Sequence, residues 1–431
     1  MALVALILRL IVVGFCYQDR LNPDRDYWRF AGETGRIARS IVQGKGFGNP
    51  LFGDTGPTAW MTPVYPYMVA LSFRLFGVHS KASAIFMLSL NSLFSALTCL
   101  PVFFMARRTF GEKTAVRAGW AWTFFPYAIY FPGNFIWSTV LTTFLLALAF
   151  AVGLRLEDSR RLRDWIGFGL LSGMAALSDP IAISVLPLVG LWMWYRRWRR
   201  GLAAETRQAV SLQMIREWLR AGAAASLAFI VVVSPWFVRN YMVFHKVIPF
   251  RDNFGLELYV GNDGETWHWA AGPHPTHQDS EWQEYRQVGE LQYMKHKQEQ
   301  AMNFISQHRA VFAELVLRRA LYVWTNYWSF SRRYLDEEPF DVPAVFLTTT
   351  LTLLGVWGLW VGWRNFGAAV VPYAIVLFFF PVVYYITHLE DYYRRPADPF
   401  FVVLAAYAVT AYFEKRRARR PASHPQIQVI S

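Results

Sequence analysis

Apolar residues run through this chain in long blocks separated by short polar stretches. Blocks at about 1–18, 82–106, 115–131, 135–154, 165–178, 180–195, 221–237, 343–363, 368–387 and 397–413 are roughly 14 to 25 residues long, most of them enough for an α-helix to cross a hydrocarbon layer about 30 Å thick. Only helices or closed barrels satisfy their backbone in such a layer. The pattern predicts an all-α polytopic membrane protein with about ten transmembrane helices.

Two polar stretches are much longer than the others, 19–81 and 238–342. The predicted organisation is a transmembrane module over 1–237 that includes the first external loop 19–81. An extracytoplasmic loop and helical region follows over 238–342, then C-terminal transmembrane helices over 343–413 and a basic cytoplasmic tail over 414–431. The first loop carries a helical stretch, then turn residues from Gly44 to Gly56. In the second, Glu281 to about Gln307 reads as one or two amphipathic helices of mixed charge.

Basic residues fix the predicted orientation. Arg107-Arg108, Lys113, the run Arg155 to Arg163, Arg196 to Arg200 and the tail from Lys415 to Arg420 fall on one side of a ten-helix arrangement, the cytoplasmic side by the positive-inside bias. Both termini are then cytoplasmic, in the plasma (inner) membrane. This bias accounts for much of the net charge of +13, so nucleic acid is not an expected partner. The first apolar block lacks a basic leader and an Ala-x-Ala-like site, and is read as a spanning helix. Arg9 within it is expected to face the bundle or snorkel. Of the two cysteines, Cys16 and Cys99, neither belongs to a disulfide or zinc pattern.

Chemistry is most concentrated just after the first block. Asp26, Arg29, Glu33, Arg36 and Ser40 recur at spacings of three and four, which on a helix share one face. A solvated face with exposed ion pairs, each contributing roughly 0–1 kcal/mol, is the plain alternative. At a membrane surface, however, an acid between two guanidinium groups suits attack by a hydroxyl or amine on a sugar whose leaving group is a lipid-linked phosphate. The carboxylate would take the acceptor proton, an effect on the order of a hundred- to ten-thousand-fold. Arginine would hold the departing phosphate.

The string Gly32-Glu33-Thr-Gly35-Arg36-Ile37-Ala38-Arg39-Ser40-Ile41, with Gly46-Phe47, Gly56-Pro57-Thr58-Ala59-Trp60 and Pro63-Val64-Tyr65-Pro66, resembles the first external loop of bacterial GT-C glycosyltransferases. These include protein O-mannosyltransferases, aminoarabinose transferases and glycosyltransferase family 39. The resemblance continues through Ser234-Pro-Trp-Phe-Val-Arg239-Asn240 and Pro249-Phe-Arg251-Asp252-Asn253-Phe-Gly255-Leu-Glu257-Leu to Gly261-Asn262, and closes with Tyr393-Arg394-Arg395-Pro396.

The resemblance implies a GT-C fold and an inverting transferase that passes a sugar from a polyprenyl-phosphate donor to a lipid, glycan or protein acceptor outside the cytoplasm. It implies a general base in the first external loop, with Glu33 ranked ahead of Asp26 and Asp24. Arg29, Arg36, Arg239, Arg394 and Arg395 are the implied substrate and phosphate contacts, and Trp60 and Tyr65 are implied to line the sugar or lipid path. Where relatives often carry an acid, this chain has Pro132-Gly-Asn134-Phe-Ile-Trp137-Ser138-Thr139, so a second carboxylate would come from elsewhere, Asp179 being one candidate. Tyr392 stands where an arginine is common.

His268, His274 and His277 match no metal-ligand spacing and read as loop residues. Asp252, Glu257 and Asp263 are a weaker oxygen-ligand alternative. No cofactor and no metal site is expected, a divalent ion being left open. The competing function is a transporter or flippase of lipid-linked sugars, which predicts ionisable residues deep in several helices and paired broken helices. Here most charges lie between the blocks. A purely structural membrane subunit leaves Glu33 between Arg29 and Arg36 without a role.

Overall fold

The computed structural model describes residues 1–21, 30–204, 212–264, 272–329, 332 and 341–418. Among them the chain is helical, with short 3-10 turns and no strand. One isolated backbone bridge pairs Gly48 with Pro57. Helices fall on every predicted block, from Ala2–Cys16 through Lys81–Leu97, Cys99–Phe110, Glu112–Phe124, Thr139–Arg155, Leu162–Ser178, Leu186–Ala204, Leu212–Phe244 and Asp341–Phe366 to Val371–Phe379 and Asp398–Ala418. By length and composition five helical stretches are long and apolar enough to cross a membrane, namely Ala2–Leu21, Lys81–Phe110, Ile215–Phe244, Val342–Ile386 and Arg395–Ala418.

Small residues let these helices close on one another, as expected where lipid offers no hydrophobic drive to association. A Cβ at Gly169 would meet the Ala225 carbonyl, so Leu162–Ser178 lies directly against Leu212–Phe244. A Cβ at Gly358 would likewise meet the Leu404 carbonyl where Asp341–Phe366 packs on Asp398–Ala418. Arg9 faces the bundle: it donates to Ser95 Oγ at 2.9 Å and to the carbonyls of Ala5 at 2.8 Å, Trp122 at 3.2 Å and Thr123 at 3.3 Å. A buried guanidinium is tolerable only when its protons are taken up in this way.

The basic connections gather at one end. Arg108 and Arg200 both pair with Asp158, Arg196 and Arg200 reach Glu157 at 2.6 and 2.9 Å, and Lys113 meets Glu414 at 2.9 Å. Helices Thr139–Arg155 and Leu162–Ser178, 17 residues each, span about 25 Å from that end to the other. Their far ends open on a cavity.

Three elements differ from expectation. Of the expected helical face through Asp26, Arg29, Glu33, Arg36 and Ser40, the first two lie outside the described residues. Ala31 at φ 55° and Gly32 at φ 44° turn the chain, and the helix begins at Glu33 and runs to Val42. The helix is also buried nearly all round, through Glu33, Thr34, Gly35, Arg36, Ile37, Ala38 and Ser40, and is not a surface helix. The block 180–195 starts instead with a 3-10 turn, Pro180–Ser184, because Pro180 has no amide hydrogen with which to continue the preceding helix. Finally, Val64–Phe76 and Arg309–Thr325 are helices within stretches read as external loop. The expected amphipathic pair is present as Asp279–Val288 and Glu290–Gln307, broken at Gly289.

Candidate functional site

A cavity of about 630 Å³ lies where several connections converge. It is lined by Glu33 and Trp60 of the first polar segment, Trp137 to Thr139, Asp179 after the helix Leu162–Ser178, Arg251, Asn253 and Glu257 after Leu212–Phe244, His274 and His277, and Tyr384, His388, Glu390 and Tyr393 before the last helix. Carboxylates therefore reach it from four separate segments, as Glu33, Asp179, Glu257 and Glu390. The arginine in its lining is Arg251.

Glu33 opens the helix Glu33–Val42 and is 3% exposed. Its Oε1 lies 3.8 Å from Nη2 of Arg36, one turn on. Position and charge agree here, since an acid in the first turn meets the positive end of the helix dipole. Arg36 is not in the lining: its Nε donates to the Pro50 carbonyl at 2.6 Å and its guanidinium lies 4.6 Å from the centre of the Phe52 ring. The same helix organises the turn-rich loop through Ser40, whose hydroxyl donates to the Gly46 carbonyl at 3.0 Å.

Asp179 caps the 3-10 turn after it by accepting from Ile181 N at 3.1 Å, which holds its carboxylate at the cavity wall. Burial opposes the charge on Arg251. Asp179 and Glu257, with Tyr393 and Tyr384, outweigh that cost and push its pKa up. The cavity thus keeps one firmly charged guanidinium between two acids.

Glu257 starts a second arrangement. Its Oε1 accepts from Asn253 Nδ2 at 2.5 Å and its Oε2 lies 3.2 Å from His388 Nδ1. His388 Nε2 is 3.0 Å from the Tyr393 hydroxyl. Burial lowers the His388 pKa and outweighs the opposing pull of Glu257. Glu390 is pushed up to about 8 by burial, then by Asp391 and Glu257.

Across the cavity, Thr276 Oγ1 sits 2.6 Å from His274 Nδ1 and 3.1 Å from His277 Nδ1. Burial holds His274 down to about 3, and lowers His277. Among the described residues no three His, Cys, Asp or Glu side chains come together as metal ligands. Trp60 packs on His274, with ring centres 5.6 Å apart. It is anchored through its neighbours, since Glu290 accepts from Thr58 Oγ1, from Ala59 N at 2.6 Å and from Tyr285 Oη at 2.8 Å. Asp252 donates its amide to the Ala59 carbonyl at 3.1 Å.

Of the residues singled out in the sequence, Glu33 and Trp60 line the cavity, as does Asp179. Asp24, Asp26, Arg29 and His268 lie outside the described residues. The other arginines lie outside the lining and are engaged with protein groups. Arg239 donates to the carbonyls of Thr58 and Phe47, both at 2.7 Å, and covers Trp236. Arg394 donates to Asp398 Oδ1 and to the Trp324 carbonyl, each at 3.0 Å. Arg395 reaches Asp398 Oδ2 at 3.4 Å and lies 3.2 Å from the centre of the Tyr127 ring. Tyr65 is buried against Asn91, away from the cavity. Sequence reading gave no role to Arg251, His388, Glu390 or Tyr393, although the polar run Thr387-His388-Leu-Glu390-Asp391 between two apolar blocks marks the last segment.

Residues 60–236 match the family of dolichyl-phosphate-mannose-protein mannosyltransferases. No curated protein matches the chain in sequence. In structure the chain is similar to the archaeal oligosaccharyltransferase AglB from Archaeoglobus fulgidus, in complex with an inhibitory peptide and a dolichol-phosphate. The TM-score is 0.53 at 15% identity, over 98% of this chain and 52% of that one. The same enzyme in complex with Zn and sulfate gives a TM-score of 0.52 at 16% identity, over 96% of this chain and 50% of that one. This chain therefore spans about half the length of AglB. A weaker likeness, TM-score 0.39 at 13% identity over 94% of this chain and 77% of the other, runs to ArnT from Cupriavidus metallidurans bound to undecaprenyl phosphate. The family match over residues 60–236 and the likeness to AglB over nearly the whole chain agree on the fold, which is that of a membrane glycosyltransferase of known structure.

Proposed function

We propose that this protein transfers a sugar from a polyprenyl-phosphate-linked donor to an acceptor on the extracytoplasmic side of the plasma membrane, with inversion at the sugar carbon. The observation that carries the reading is the convergence of Glu33, Asp179 and Arg251 on one cavity beside apolar helices. A membrane donor keeps its lipid among those helices while its phosphate reaches the guanidinium.

Glu33 is the proposed general base, ahead of Asp26 and Asp24. It takes the proton of the acceptor hydroxyl or amine as that group attacks the sugar carbon, and the carbon–phosphate oxygen bond breaks with its electrons leaving on the phosphate. Arg251 takes the phosphate-holding role for which Arg36, Arg239, Arg394 and Arg395 are less suited, being bound to protein groups. Asp179 braces Arg251 and is the proposed second carboxylate. The acceptor is a lipid, glycan or protein, and no organic cofactor is needed.

The test is transfer in proteoliposomes from undecaprenyl-phosphate hexoses and pentoses to a cell-envelope extract, comparing wild type with Glu33→Gln. Transfer by the wild type that the variant lacks supports both reaction and base. Donor that crosses the bilayer unreacted, equally with both proteins, makes the protein a flippase instead.

A further inference from the structure

The order of hydrogen bonds from Glu257 through His388 to Tyr393 has a chemical consequence at the cavity wall. His388 Nδ1 faces two acceptors, the Glu257 carboxylate at 3.2 Å and the Glu257 carbonyl at 3.4 Å. Nδ1 must therefore carry the hydrogen. A neutral imidazole protonated there has only a lone pair at Nε2. The groups around the ring fit a neutral state: burial and the two guanidiniums of Arg319 and Arg251 lower its pKa and outweigh the carboxylate and the carbonyl of Glu257, which raise it. The Tyr393 hydroxyl, 3.0 Å from Nε2, is then the donor of that pair.

We propose that Tyr393 reads a hydroxyl of the transferred sugar: its own proton is committed to His388, so it turns an oxygen lone pair on the cavity and accepts a hydrogen bond from that hydroxyl. A phosphate oxygen is the wrong partner for a lone pair, whereas a sugar hydroxyl is the right one. The neighbours place the two parts of a donor accordingly. Arg251, which interacts electrostatically with Tyr393, takes the phosphate, and a sugar on that phosphate then lies against the tyrosine. Tyr384 stacks on Tyr393 with ring centres 4.7 Å apart, and Trp60 and Trp137 complete an aromatic lining for the apolar face of a sugar ring. Glu257 and His388 act through Tyr393 and are positioning residues.

This inference rests on the glycosyltransferase reading for its ligand, but its hydrogen-bond order can be measured without activity. In nanodiscs, protein labelled with 15N-histidine should show His388, assigned by its loss in His388→Gln, with a protonated Nδ1 and a bare Nε2. A protonated Nε2 would mean that Tyr393 points its hydrogen at the cavity, and the proposal would be wrong. For whichever of undecaprenyl-phosphate mannose, glucose or galactose the wild type transfers, Tyr393→Phe should lower kcat/KM about ten- to a hundredfold. It should change nothing for the one monodeoxy analogue that lacks the contacted hydroxyl. An equal loss on the parent sugar and on every analogue would make Tyr393 a packing residue and overturn the proposal. A wild type that transfers neither these nor the pentose donors sinks the glycosyltransferase reading, and the sugar assigned to Tyr393 with it, while the imidazole spectrum still decides which way the tyrosine proton points.

Discussion

Glu33 and Arg36 lie 3.8 Å apart on one helical turn, yet they face different tasks. The acid lines the cavity, and the guanidinium ties down the loop at Pro50 and Phe52. An ion pair in which one partner is spent on structure leaves the other for chemistry.

Glu33→Gln should therefore abolish transfer while leaving the fold. Glutamine keeps an acceptor for Arg36 and loses only the basicity, so a loss on the order of a hundred- to ten-thousand-fold in kcat is expected with little change in Tm. Arg36→Ala should show the reverse emphasis. Its loop contact and buried ion pair go, which costs about 1–3 kcal/mol of stability and shows as a lower Tm. Turnover by Glu33→Gln near the wild-type value would move the base to Asp26 or Asp24.

Arg251 and Arg239 offer a matched contrast. Arg251→Lys keeps the charge but not the planar fork that holds a phosphate in two places. It should raise KM for the lipid donor and lower kcat/KM about ten- to a hundredfold at unchanged Tm. Arg239→Lys cannot reach both the Thr58 and Phe47 carbonyls. It should lower Tm and speed limited proteolysis of the segment 44–58, with a smaller effect on donor KM. Equal effects of the two substitutions on KM and Tm would remove the distinction drawn between them.

Much of the fold was legible in the sequence because spanning helices are written as uninterrupted apolar blocks, and every predicted block holds helix. The basic connections were legible for a related reason, since charge bias is local. The short helix Val64–Phe76 was hidden by its Pro-Val-Tyr-Pro start and by a length of 13 residues. Glu33 and Trp60 were legible through local strings. His388 and Glu257 were not, because they lie 131 residues apart and meet only once the last connection closes on the helix Phe254–Val260. Arg239, Arg394 and Arg395 were read as ligands from the resemblance of the strings that hold them. A guanidinium at a helix end serves equally well to satisfy carbonyls, and only the three-dimensional partners decide between the two uses.

Glu390 should make stability fall with rising pH. Its folded pKa of about 8 lies above the ordinary 4.5, so the folded state holds a proton that the unfolded chain has lost over that interval. The stabilisation is complete below about pH 4.5, and is lost as pH rises through 8. Wild-type Tm should drop by a few degrees across the interval, whereas Glu390→Gln should give a flatter curve. Parallel curves for the two proteins would show that Glu390 ionises normally.

Asp252 and Glu290 carry the same logic to the support of Trp60. Burial, then the neighbouring Glu290 carboxylate, raise the Asp252 pKa well above its ordinary value, which favours the proton of the pair on Asp252. Glu290 is the partner that must accept, because Thr58 Oγ1, Ala59 N and Tyr285 Oη all donate to it. Asp252→Asn should therefore be tolerated, since an amide is neutral and still offers hydrogens. It should also remove the loss of stability that wild type suffers as rising pH takes the proton off Asp252. Glu290→Gln puts an NH2 group among three donors and should cost about 1–3 kcal/mol. The lost anchor at Ala59 should also loosen Trp60, visible as a red shift and greater quenching of its fluorescence against a Trp60→Phe control. A stable Glu290→Gln beside an unstable Asp252→Asn would mean that the proton sits on the other carboxyl.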